Sequence, residues 1–213
     1  MVRLSLFLIL ALAAQPAAAA ADELTDPAHR LAPNDPAWND VTAAFAQKPD
    51  ATAAFSEQRF FPFKKEPVEL TGEVRIASAR GLSLHYLKPE ERTVIFDGQG
   101  TLLREAGGES APPSDPRANF ANAALVQVLR FDLAALAGSF EVFGQRDGKA
   151  WTLALVPRAE ELRRAVSEII VAGEAAEVHR IAIRRTPKQS IEILVGPAKP
   201  TPFTPAELKR FFR

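Results

Sequence analysis

The chain has 213 residues, 26 Lys and Arg against 26 Asp and Glu, no cysteine, and 47% hydrophobic residues. That balance excludes a disordered chain and a nucleic-acid-binding one, and it implies no bulk electrostatic partner. Without cysteine there is neither a disulfide nor a thiol to carry a lipid anchor, so a packed core must supply the stability.

Arg3 precedes an apolar stretch from Leu4 to Ala14 and then "AQPAAAAADE", with small residues where a signal peptidase needs them. The apolar core is shorter than the roughly 20 residues needed to cross a bilayer. The expectation is a cleaved signal peptide over 1–21, placing the mature protein, soluble, in the periplasm. A loose, proline-bearing leader over 22–34 and one domain over 35–213 are expected to follow. Asp35 and Pro36 read as the cap and first position of a helix carrying Trp38, Val41 and Phe45 on one side, ended by "KPD" at 48–50. After a short helical or turn segment from Asp50, the period changes to two. Val68, Leu70, Val74 and Ile76 alternate with Glu69, Thr71, Glu73 and Arg75, the clearest strand in the chain.

Leu82, Leu84 and Tyr86 repeat the alternation, and "TVIFDGQGTLLRE" at 93–105 is a hairpin turning at Asp97 and Gly98. A breaker-rich loop at 106–118 leads to a helix with Phe120, Ala124, Leu125, Val128 and Leu129 on one side, then a short helix ending at Gly138. Strands follow in "SFEVFGQ", "AWTLALV", "VSEIIVAG", "VHRIAIRR" and "SIEILVG", and Thr204, Pro205 and Glu207 form a capping box that opens a terminal helix. The short connections between about ten strands argue for antiparallel pairing. A sheet with one apolar face must be covered, yet only the helix after Asp35 and the pair near Phe120 and Leu133 offer cover. Either a curved sheet encloses a hollow beneath them or the core is packed solid; alternation leaves both open.

"AAFSEQRFFPF", "LTGEVRI", "LSLHYLKPEERTVIFDGQGTLL", "WTLALVPR" and "IAIRRTPKQSIEIL", in that order, resemble the LolA family of periplasmic lipoprotein carriers and their LolA-like relatives. The likeness runs over about residues 38–200 and is carried by Phe55, Gln58, Gly72, Pro89, Asp97, Gly98, Leu155, Pro157 and a polar turn near Lys188. It implies a mainly β fold with α: a curved, incomplete antiparallel β-barrel covered by lid helices over an apolar cavity. Typical carriers have an Arg-Pro pair that ties the lid; here Ser78 and Ala79 stand in that stretch, implying a divergent branch, with Arg80 as a candidate displaced substitute.

Under that reading the inward positions become cavity candidates: Val74, Ile76, Leu82, Leu84, Tyr86, Val94, Phe96, Phe140, Val142, Trp151, Leu153, Ile181, Ile183, Ile191 and Ile193. Phe120, Leu125, Val128 and Leu133 become lid candidates. The expected function is a monomeric carrier that shields lipoprotein acyl chains between an inner-membrane exporter and an outer-membrane acceptor. The alternatives are a carrier of another lipid, a polyene or a glycolipid, and a lipid-sensing module that binds an envelope signalling protein. His29, His85 and His179 lie far apart without metal-ligand spacing, and Gly-x-Ser-x-Gly is absent, so no enzyme, metal or cofactor is expected. Basic stretches at 158–164 and 180–188 suit lipid phosphates or an acidic partner surface, and equally a solvated strand face.

Overall fold

The structure is a computed structural model that describes residues 24–111 and 116–213, with side chains described from Ala123 onward in the helix that begins at Pro116. The segment 1–21 expected as a signal lies outside the described residues. Twelve strands form one antiparallel sheet: β1 (Ala51–Phe60), β2 (Val68–Ala77), β3 (Gly81–Lys88), β4 (Arg92–Asp97), β5 (Gly100–Glu105), β6 (Gly108–Ser110), β7 (Phe140–Asp147), β8 (Ala150–Pro157), β9 (Glu168–Glu174), β10 (Glu177–Thr186), β11 (Gln189–Val195) and β12 (Lys199–Pro200). Their spatial order is β6-β5-β4-β3-β2-β1-β11-β10-β9-β8-β7, with β12 continuing beside β1. The sheet curves without closing, because β6 and β7 remain opposite edges.

Two local meanders, β2 to β6 and β7 to β11, are thus joined through β1, which pairs Phe55 with Gly72 on one side and with Val195 on the other. The segment from Asp50 was expected as helix or turn and is instead this central strand. Its inward side chains are Ala51, Ala53, Phe55 and Glu57; two small residues and a carboxylate give an alternation that hydrophobicity does not display. The short strands β6 and β12 likewise fall in stretches rich in glycine or proline.

Helices α1 (Asn39–Ala46), α2 (Pro116–Arg130) and α3 (Leu133–Ser139) lie on the concave face. Asp35 and Pro36 open a 3-10 turn that leads into α1, and Asp132 caps α3. Between α2 and α3, Phe131 takes a left-handed φ of 54° and drives its ring into the core. There it stacks on Phe45 at 4.7 Å and meets Trp151 edge-on at 4.9 Å. Burying these large rings dominates the packing of the helices on this half of the sheet. A short α4 (Glu160–Arg163) occupies one basic stretch, its charge partly answered by Glu160.

The face of β2 that carries Glu69, Glu73 and Arg75 is convex, and over β2 to β5 this convex face is covered. Helix α5 (Pro205–Phe211), opened by the Thr204–Glu207 capping box, lays Phe211 over Arg75 and His85, with the Arg75 guanidinium 3.6 Å from the ring centre. Arg213 pairs with both oxygens of Asp97 at 2.6 and 2.7 Å, and Arg104 donates to the last carbonyls of the helix. The leader expected to be loose is docked from Leu24 on. Leu24 packs with Phe143 and Ala154 on the convex side, Leu31 donates its N–H to the carbonyl of Val142, and Arg30 reaches Glu141 at 2.5 Å. It covers the otherwise unpaired edge of β7, the usual liability of an open sheet.

Candidate functional site

The hollow anticipated between the sheet and α2 is almost closed among the described residues. Beneath Leu125 and Leu129 there remains a void of about 10 Å³, bounded by Phe55, Glu57, Val74, Leu84, Leu125, Leu129, Ile181, Ile193 and Val195, and a groove of about 650 Å³ runs along the outer side of α2 beside Phe96, Thr101, Val126 and Ala135. The void is at the lower limit of the space, about 10–15 Å³, that a single water needs. An apolar pocket of about 330 Å³ opens at the Ala51 end of the strands. Its floor is Ala51, Ala53, Val74, Ile76, Val178 and Val195; Phe45 and Leu129 form its helical wall, and Ala77, Ser78, Gly81, Gly196 and Ala198 line its rim. The volume sits at the low end of the roughly 300–1,000 Å³ typical of ligand sites. A groove of about 910 Å³ at the other end is larger, but charged side chains crowd its lining, among them Glu57, Lys64, Lys65, Glu66, Glu69, Lys188 and Glu192.

The pocket exists because its inward positions carry small side chains. Where Leu82, Leu84 and Tyr86 fill the adjoining core, Ala51 and Ala53 leave space. The same floor is held rigid from behind, where Ser78 donates from both its N–H and its hydroxyl to Asp50 and Gly196 N–H donates to the carbonyl of Ala54. Lys48 and Arg130 stand at the mouth with Glu177. The Lys48 ammonium sits 5.2 Å from the centre of the Phe45 ring, and burial pulls its pKa below the ordinary lysine value, with Glu177 opposing. Neither cation makes an ion pair within 4 Å among the described residues, so the mouth offers two donors, with Glu177 as the nearby carboxylate. The arrangement suits an apolar tail with a polar or anionic head at the rim.

Of the positions named from alternation, Val74 and Ile76 line this pocket, and Val74, Leu84, Leu125, Ile181 and Ile193 border the small void. Leu82, Tyr86, Phe96, Val128, Leu133, Phe140, Val142, Trp151 and Leu153 belong to the packed core, with Val94, Ile183 and Ile191 partly buried against it. Phe120 lies on α2, and its side chain is outside those described. Arg80 donates to the main-chain oxygen of Arg213 on the convex side, away from the lid helices. Val74, Leu129 and Val195 border both spaces, so α2 is the partition between pocket and void.

One polar group stands inside the core. Glu57, 2% exposed, accepts from the Tyr86 hydroxyl at 2.8 Å and from Arg59 Nε at 2.5 Å. Burial, then Glu57, pushes the Tyr86 pKa far above its ordinary value, so the hydroxyl stays a donor. No helix among the described residues is long and apolar enough to cross a membrane.

A family model described as outer membrane lipoprotein carrier protein LolA-like matches residues 32–201. No curated protein matches the sequence. Among solved structures, similarity extends to a putative outer membrane lipoprotein-sorting protein domain from Vibrio parahaemolyticus, with 11% identity, 81% of this chain, 94% of that chain and a TM-score of 0.49. It extends also to the LolA superfamily protein NE2245 from Nitrosomonas europaea, with 6% identity, 80% and 96% coverage and a TM-score of 0.42. The Pseudomonas aeruginosa MucA/MucB complex is similar over 76% of this chain and 54% of that chain, with 14% identity and a TM-score of 0.43.

Proposed function

The chain belongs to the LolA-like family of outer membrane lipoprotein carrier proteins, and from that premise we propose that it is a soluble periplasmic carrier that shields the acyl chains of a lipoprotein in transit between the inner and outer membranes. The observation that carries the reading is the apolar pocket of about 330 Å³ between β1, β2, β10, β11 and the ends of α1 and α2, open to solvent at one mouth. A chain of about sixteen carbons gains on the order of 12 kcal/mol on leaving water, at about 0.8 kcal/mol per methylene, and almost nothing on leaving a bilayer. Loading is therefore close to balance. An energised inner-membrane exporter must lift the tail out, and an outer-membrane acceptor with a slightly better apolar site must receive it.

The pocket is the entrance, and displacement of α2 joins it to the void beneath Leu125 and Leu129, lengthening the apolar path along the concave face. Lid motions of this kind cost little where few contacts are lost. No chemical step is required of any residue.

Protein produced in its own host and purified without detergent is expected to carry acyl lipid detectable by extraction and mass spectrometry. Ala53→Phe fills the pocket without burying a polar atom. It is expected to reduce co-purified lipid about tenfold or more while leaving the circular dichroism spectrum unchanged. Lipid content equal to wild type in this variant sinks the assignment of the pocket, and recovery of a signalling protein with no lipid in either form sinks the carrier reading.

A further inference from the structure

At the end of the strands opposite the pocket, the loop joining β1 to β2 projects Phe61, Pro62 and Phe63 and continues directly into Lys64 and Lys65. Phe63 is 80% exposed, and its ring lies 5.4 Å from that of Phe61, so the two rings cover each other rather than reaching the core. Lys188, in the neighbouring β10–β11 turn, borders the same groove as Lys64 and Lys65. None of these three lysines forms an ion pair among the described residues, whereas Arg180 and Arg184 nearby are answered by Glu192 and Glu168. Glu66 is the one carboxylate in the loop itself.

We propose that this loop is a docking finger for an anionic lipid surface: Phe61 and Phe63 enter the headgroup layer of a bilayer while Lys64, Lys65 and Lys188 contact its phosphates. A single exposed aromatic needs no explanation; a projecting Phe63 backed by a half-buried Phe61 at a hairpin tip, followed at once by two unpaired cations, reproduces the pattern of an interfacial anchor. A protruding tip also suits a soft medium better than a protein partner, which would require a broad complementary face of about 1,000 Å² or more in total. The rest of β1, from Ala54 to Phe60, separates finger and pocket by roughly 25 Å at about 3.3 Å per residue. Attachment therefore leaves the mouth free, and the two sites are testable independently.

The full chain is to be floated with vesicles of phosphatidylethanolamine and phosphatidylglycerol, and with vesicles of phosphatidylcholine alone. Wild type is expected to rise with the anionic vesicles at low salt, to be released by 0.5 M salt on the scale set by screening, and to leave neutral vesicles nearly bare. Paired Phe61→Ser and Phe63→Ser changes, and separately paired Lys64→Glu and Lys65→Glu changes, are expected to weaken binding on the order of tenfold or more, with unaltered melting temperature. Phe63→Trp should shift its emission to the blue on the same vesicles, a readout that does not depend on disruptive variants. Ala53→Phe should float like wild type even if it loses its lipid. Failure of wild type to float, or flotation undiminished in both paired variants, overturns the proposal. So does a wild type that ignores vesicles while the lysine variant loses a cross-link to an envelope protein.

Discussion

Glu57 illustrates how a single side chain fixes the interior. Replacing it with alanine would leave the Tyr86 hydroxyl without an acceptor in the core, while Arg59, about a third exposed, could turn to water. The expected cost is about 2 kcal/mol, a hydrogen bond to a charged group together with one orphaned donor. For a chain of this size that lowers the melting temperature by roughly 4–8 °C. Glu57→Gln keeps an acceptor for Tyr86 and should lose about half as much; equal losses in calorimetry would show that the carboxylate charge, not the acceptor, matters. Residues of this kind resist a reading by pattern. Large inward side chains such as Leu82 and Trp151 announce themselves by alternation and then fill the core, whereas the pocket is marked by the alanines at 51 and 53 and the glycines at 81 and 196. A run of small residues at one end of several inward rows was the available signal, and a search for the most hydrophobic positions passes over it.

Helices and strands were more legible than cavities, because each carries its own period and punctuation. β2, the β4–β5 hairpin and α5 with its capping box stand where their sequences indicate. β1 does not read as a strand, and the cover that α5 gives to the convex face depends on long-range contacts of Arg213 and Arg104 that no local pattern encodes. This docking titrates. His85 sits under Phe211, bonded through Nδ1 to Thr93 Oγ1 at 3.0 Å, with Arg75 and Glu73 from β2, Glu91 at 3.5 Å and Arg210 from α5 around it. Burial first, and then Arg75, lower its pKa against the pull of Glu91, so the folded state prefers the neutral ring. Above the unfolded value of about 6.5 this contribution is fully present; as pH falls through that value toward the lower folded one, the unfolded state binds the proton more readily and stability is lost. Amide exchange over residues 205–213, corrected for the intrinsic rate, should therefore accelerate between about pH 7.5 and 5.5, and His85→Gln should flatten the change. A profile identical in the variant would assign the pH response elsewhere.

At the scale of the molecule, α2 is the partition whose movement the proposed carrier requires, since Leu129 borders both the pocket and the void, as Val195 of the sheet does. The natural chain has no cysteine, so cysteines introduced at 129 and 195 would be the only thiols present. Joining them with a short bismaleimide should prevent uptake of a fluorescent fatty acid by about tenfold or more relative to the unlinked double variant. Uptake unaffected by the tether would mean that tails enter without any displacement of this helix.

The strand at the centre of the sheet is also the first to be made, while its neighbour β11 is nearly the last. Each meander can assemble from close-by segments, but the seam between them waits for the final hairpin and closes a loop spanning most of the polypeptide, a slow step of high contact order. Until then both halves display raw, unpaired backbone along what will become their shared border, the form in which such chains associate with one another. A product truncated before Gln189 should accordingly be found in aggregates rather than as a smaller native protein.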